Sequence, residues 1–230
     1  RERVVSTVKD EVWRMKNSED MEKILIAIED SLHSAGVVFT DCGINLLDSS
    51  HDPPTQTGYT IADGKVWDWE SKFPEIIVKF WRTGAPVYRQ DLQKEDLYQE
   101  LPYMNQITRS IVDVPFHCGT VGISSTEPNA FADWQIEFLQ EMADVLSEGF
   151  RRLDDLRALE QSEEFLNSVI NNSTALIYSK DLEGRYFLVN DRWAEILGLK
   201  MTKEEVIGKT DYDLFLPEIA DVLRQNDRAV

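Results

Sequence analysis

Residues 133–170 contain no proline and a single glycine, Gly149. Apolar residues recur there at steps of three and four: Leu139, Met142, Leu146, Phe150, Leu153, Leu156 and Leu159. Between Phe150 and Leu166 the other positions are polar, charged or small. This pattern predicts one long helix with a narrow apolar stripe, too thin to sit in a globular core. The stripe is the seam expected of a two-stranded coiled coil, and so of a homodimer. A solvated single helix joining two domains and held by Glu–Arg pairs is the other reading. The sustained heptad stretch is short, and the dimer seam is the favoured expectation.

A chain of 230 residues has room for one large or two small domains. Its formal net charge of −18 argues against a nucleic-acid partner, which needs a basic face, and against an anionic membrane surface. No apolar run reaches membrane-spanning length. No secretory signal opens the chain, and Arg1 in place of Met suggests that residues precede it. Two widely spaced cysteines, Cys42 and Cys118, give neither a disulfide framework nor a metal-ligand pair, so the expected location is the cytoplasm.

The apolar pattern predicts helices over 2–16 and, capped by Ser18, on to Gly36. A strand over 37–47, a loop over 48–57 and two strands around Asp63-Gly64 follow. Pro74 opens a helix ending at Thr83-Gly84, and Val87-Tyr88 is a short extended piece. Residues 91–107 read as polar and partly helical, and 110–125 as a hairpin around 117–119. The order implies an α+β domain whose antiparallel sheet is bracketed by helices. After Asn172 a new pattern begins: strand 174–179, turn 181–184, strand 185–189, a helix capped by Asn190, and a capping box at Thr202 and Glu205.

Several motifs then occur in order: Ile177-Tyr-Ser-Lys180, Asp181-Leu-Glu-Gly-Arg-Tyr-Phe-Leu-Val-Asn190, Trp193-Ala-Glu-Ile-Leu-Gly198, Val206-Ile-Gly-Lys-Thr-Asp211 and Asp213-Leu-Phe215. Through them residues 165–230 resemble the first part of a PAS domain, with no counterpart here to that family's three C-terminal strands. Residues 1–150 resemble a GAF domain by element order, by Arg82-Thr-Gly-Ala-Pro-Val87, by the strand 110–116 and by Asn129-Ala-Phe131 before the terminal helix. The resemblance implies a GAF-like sensory domain over 1–150 with its terminal helix from about 133, a signalling-helix linker over 151–166, and the N-terminal part of a PAS domain over 167–230. The signature of cyclic-nucleotide-binding GAF domains is not assembled. GAF, helix and PAS in this order resemble the input half of bacterial sensor histidine kinases and second-messenger cyclases.

Nothing in the sequence places a nucleophile or metal ligands beside His33, His51 or His117, so no catalytic residue and no metal site is expected. His117-Cys118 reverses the order that bilin-binding GAF proteins carry, which argues against a bilin. The PAS portion has no histidine and no cysteine, which argues against haem and against the flavin chemistry of light sensors. Aromatics cluster in the middle third of the first domain. Tyr59, Trp67, Trp69, Phe80, Tyr88, Tyr103 and Phe116 are the candidate ligand-binding residues, in the region where GAF domains place their cavity. A packed aromatic core or a dimer surface is the blander reading and is favoured. The expected function is a non-catalytic sensory and dimerisation region of a cytoplasmic signalling protein. It would have a homodimeric twin, a small-molecule ligand of unknown identity and a downstream output domain. A ligand-free dimer scaffold is the alternative.

Overall fold

The computed structural model describes residues 2–16, 20–62, 64–70, 75–103, 107–196 and 201–227. For residues 2–5, 103, 194 and 196 the described part is the backbone. The chain divides into two compact units, Arg1–Leu156 and Arg157–Val230.

The first unit opens with helices α1 (Glu2–Arg14) and α2 (Met21–Ser34). Strands β1 (Asp41–Asp48), β2 (Thr55–Ala62) and β3 (Lys65–Glu70) follow, then helix α3 (Glu75–Thr83) and strand β4 (Val87–Arg89). Strands β5 (Ser110–Phe116) and β6 (Gly119–Ser125) lead into helix α4 (Asp133–Asn171). The six strands form one antiparallel sheet in the order β3-β2-β1-β6-β5-β4.

Alternation divides the strands between two faces. Cys42, Ile44, Ile61, Val112, Val114, Phe116, Val121 and Ile123 point to one face. There they meet Val8 and Val12 of α1, Met21 to Leu32 of α2 and Phe138 to Leu153 of α4. This is the core of the unit. The other face carries Asn45, Gln56, Thr60, Trp67, Trp69, Arg89, Asp113 and Thr120, with α3 packed over β5 and β6.

The coiled-coil reading of α4 needs correction over its first half. Leu139, Met142 and Leu146 are fully buried in the unit's own core, and Leu153 is buried with them. Phe150 packs on Phe116, ring centroids 5.6 Å apart. These five are therefore core residues and not a dimer seam. The stripe looks narrow in sequence because two of its buried positions are small. Ser147 donates to Ala143 O and accepts from His117 N. A side chain at Gly149 would collide with Val12, so glycine lets α1 approach the helix. Only Leu156 and Leu159 of the expected seam stay exposed, at 43% and 57%.

Other local expectations shift as well. The first strand begins at Asp41, since Val37–Thr40 form an approach in which Val38 faces solvent. Residues 91–107 contain one 3-10 turn, Leu101–Tyr103, and no α-helix among the described residues, because Asp91 and Asp96 draw the backbone into side-chain-bonded turns. Ser18, Asp63, Pro74 and Gly198 lie outside the described residues.

In the second unit, β7 (Tyr178–Lys180) and β8 (Tyr186–Val189) pair antiparallel. The helices α5 (Asp191–Ile196), α6 (Lys203–Val206), α7 (Asp211–Leu214) and α8 (Pro217–Asp227) follow. The expected first strand is shorter than 174–179. Asn190 caps α5 as expected, accepting from Trp193 N. It also accepts from Ile177 N and donates to Ile170 O and Ala175 O, so one buried amide closes the end of α4 onto the sheet. The Thr202–Glu205 capping box forms, and a second one forms at Thr210 and Asp213. Tyr186, Val189, Trp193 and Val206 make a small core. Beneath it Lys180 donates to both oxygens of Asp211 at 2.8 Å and to Asp227 at 2.7 Å. Leu176, Leu182 and Phe187 are exposed apolar residues in this unit.

Candidate functional site

On the second face of the first sheet, side chains from five strands join into a polar ribbon. Gln56 Nε2 donates to Asn45 Oδ1 at 2.8 Å. Asn45 Nδ2 donates to Thr120 Oγ1 at 3.1 Å, and Thr120 Oγ1 donates to Asp113 Oδ1 at 3.1 Å. Asp113 Oδ2 accepts from Arg89 Nη2 at 2.6 Å. Arg89 Nη2 also donates to Glu100 Oε2 at 3.2 Å. The cross-strand registers dictate this line-up: Asn45 pairs with Thr120, Gly122 with Asp113, and Asp113 with Val87 two residues before Arg89.

The ribbon is buried. Arg89, Glu100 and Asp113 are all buried, one guanidinium against two carboxyl groups. Burial pushes the Glu100 carboxyl above the usual carboxylate range, and the Arg89 charge offsets this only in part. Arg89 Nε lies 3.0 Å from Glu100 Oε1, yet neither atom is aligned for a hydrogen bond. Gln56 Oε1, at the other end, is buried with no hydrogen-bond partner among the described residues. Unpartnered buried acceptors cost stability, and these two are open to a hydrogen-bond donor from outside the chain. The Phe80 ring packs under the guanidinium, 4.4 Å from Cζ, and Trp81 Nε1 donates to Phe116 O.

The segment after β4 is fixed over this face at two points. Arg109 grips Asp91 through two hydrogen bonds of 2.8 and 2.6 Å, which hold the Asp91 carboxyl below its usual range. Glu100 reaches down to Arg89. Beside β4 a cavity of about 290 Å³ is bordered by Tyr88, Arg89, Asp91, Lys94, Tyr98 and Asn129.

The aromatic residues expected to line a ligand site do not converge. Tyr59 and Phe116 point into the helical core. Tyr88 also faces that side, where its hydroxyl accepts from Phe131 N at 3.0 Å. Trp67 and Trp69 lie on β3 at one edge of the second face, while Phe80 lies near β4 at the other. Alternation places Tyr59 and the two tryptophans on opposite faces despite their closeness in sequence. The Tyr103 side chain lies outside the described residues. Of the expected set only Phe80 touches the ribbon.

The ribbon itself escaped the sequence reading. Its one visible signal is a charge inside an otherwise apolar strand, Asp113 in Ser-Ile-Val-Asp-Val-Pro-Phe. Such a residue needs a buried partner.

The three histidines are held separately: His33 stacks on Phe39, His51 meets Ser50 and Asp48, and His117 Nε2 lies 2.9 Å from Asp154 Oδ2. Among the described residues no group of three or more His, Cys, Asp or Glu is placed to hold a metal ion. No helix among them is long and apolar enough to cross a membrane. Cys42 is fully buried, and burial pushes its thiol pKa up. Cys118 bonds through its carbonyl to Leu47 N, five residues along β1, or roughly 17 Å from Cys42. That is far beyond disulfide reach.

A family model described as PAS fold matches residues 170–230. No curated protein matches the chain in sequence. Among solved structures, the GAF domain of a phosphoenolpyruvate-protein phosphotransferase from Coxiella burnetii is 18% identical and covers 68% of this chain and 95% of that one, with a TM-score of 0.52. A free methionine-R-sulfoxide reductase from Neisseria meningitidis, solved with its substrate, is 15% identical and covers 66% of this chain and 89% of that one, with a TM-score of 0.50. The first unit thus has the GAF fold, and residues 170–230 match the PAS fold.

Proposed function

We propose that this chain is the sensory and dimerisation region of a cytoplasmic signal-transduction protein, the input module of a histidine kinase. In this reading the first unit takes a polar small molecule on the second face of its sheet. The observation that carries it is the buried ribbon from Gln56 to Glu100, with two carboxyl groups on one guanidinium and unpartnered acceptors. A ligand that rearranges the ribbon shifts a two-state equilibrium, and the signal passes along α4 to the PAS-fold segment and an output domain. The tie between His117 on the β5–β6 turn and Asp154 on α4 gives the sheet a handle on the helix.

Dimerisation is assigned to the exposed part of α4, where Leu156 and Leu159 are followed by exposed Phe165, Leu166 and Val169. Catalysis is not part of the reading. Thiol redox chemistry needs a reachable thiolate with a partner, and the buried, distant Cys42 offers neither to Cys118. A second reading, a ligand-free dimer scaffold, is favoured by the ribbon's largely mutual satisfaction.

Thermal unfolding of the 230-residue chain against a metabolite panel separates the two. Reproducible stabilisation by one compound class is expected. A flat response across the panel supports the scaffold. For the seam, Leu159→Glu should lower the mass seen by light scattering, and an unchanged oligomer would remove α4 as the dimer contact.

A further inference from the structure

The tryptophans that fail to close a ligand site have a different use. β3 is an edge of the sheet and pairs with β2 alone among the described residues. Its odd positions Lys65, Trp67 and Trp69 share one face, and Val66, Asp68 and Glu70 share the other. Trp67 is 61% exposed, the most exposed tryptophan among the described residues. Trp69 lies across Gly58, where any side chain would collide with its ring, and its Nε1 donates to Thr60 Oγ1 at 3.3 Å. One ring is therefore fixed flat on the sheet beside a second that projects into solvent. Edge strands of this kind are templates for pairing unless charge blocks them.

We propose that a second copy of this chain adds along β3 as an antiparallel strand, with Trp67 opposite Trp67 of the partner subunit. A two-fold antiparallel pair keeps each residue on its own face, so opposed residues share parity. Centring on Trp67 sets Lys65 opposite Trp69 of the partner subunit and Val66 opposite Asp68 of the partner subunit. This gives two cation–π contacts and one aromatic pair, with no like charges opposed. Centring on Asp68 opposes two aspartates. Centring on Trp69 sets Asp68 against Glu70 twice. Centring on Val66 leaves a shorter ladder with Trp69 unmatched. The charge pattern thus selects one register for self-pairing. A six-residue ladder is smaller than a standard interface, so the contact is weak and reversible. It is separate from the α4 seam.

Disulfide trapping in the full chain, with Cys118→Ser as background, tests the register. Opposed Cβ atoms on such a pair lie about 4.5–5.5 Å apart, close enough for a bridge between Trp67→Cys copies after small adjustment. Crosslinking at 67 under mild oxidant is expected to run at least ten-fold faster than at Asp68→Cys or Glu70→Cys. It should persist when Leu159→Glu removes the helix seam. In chains with native cysteines, Trp67→Lys should reduce concentration-dependent association in sedimentation. Faster crosslinking at 68 or 70, equal rates at all three, loss of the 67 crosslink in the Leu159→Glu chain, or association unchanged by Trp67→Lys would each overturn the proposal. Trp67, Asp68, Glu70 and Leu159 are exposed, and Cys118→Ser is a near-isosteric change at a half-buried turn, so the variants should keep the fold.

Discussion

The two faces of one sheet solve opposite problems with alternate residues of the same strands. On the helical face Ile44, Val112, Val114, Val121 and Ile123 bury apolar surface against α1, α2 and α4. On the other, Asn45, Asp113 and Thr120 join a ribbon in which one cation meets two carboxyl groups. The first face stabilises the unit by removing apolar area from water. The second costs desolvation that mutual hydrogen bonds only partly return. A second face built this way contributes less to stability than the first, which is why the proposed ligand site is put on the ribbon.

Removing the ribbon's only guanidinium should have the largest effect. Arg89→Ala leaves Asp113 and Glu100 buried without their cation, and a loss of about 3–5 kcal/mol in urea unfolding is expected. A loss below 1 kcal/mol would mean that the ribbon is open to water. On the helical face, Leu146→Ala should cost about 2–5 kcal/mol through the cavity it leaves. A small cost there would show that α4 is loosely packed and would restore Leu146 to the dimer seam. Asn45→Ala removes partners from both Gln56 and Thr120 and should cost about 1–3 kcal/mol.

A pH series sharpens the comparison further. The folded-state pKa of Glu100 is raised, so its protonated form is the one the fold favours. The stability tied to this group is present below the ordinary carboxylate pKa and is lost as pH rises through the raised value. Asp113 and Asp96 contribute to the same upward shift. Glu100→Gln removes the ionisation, so its stability relative to the natural chain should climb as pH rises from the ordinary carboxylate range toward neutrality. A pH-independent difference would show that Glu100 titrates in the fold as it does in the unfolded chain, and a difference that falls with rising pH would show that the fold favours its ionised form. The smallest expected effect is that of Leu159→Glu, within about 0.5 kcal/mol, because the residue is solvated in the isolated chain.

Much of the fold was legible in the residues. The helix over 133–170, the 110–125 hairpin, the Asn190 cap and the capping box at Thr202 all follow from local chemistry. The failures share a cause, which is that partners distant in sequence decide what a residue does. The α4 stripe read as a seam because Ser147 and Gly149 do not look like core, and only His117 and Val12 make them so. The aromatic cluster read as one site because sequence proximity hides strand parity, which puts Tyr59 and Trp67 on opposite faces. The ribbon was invisible for the same reason. Its members come from five strands and a loop, and only the register aligns them.

Ligand response compared between the faces tests the division most directly. A compound that raises the melting temperature of the natural chain is measured against Asn45→Ala and against a core-face variant, Ile44→Val, under conditions of matched stability. Loss of the shift in Asn45→Ala with its retention in Ile44→Val is expected if the ribbon is the sensing surface. Equal shifts in both variants would contradict that assignment.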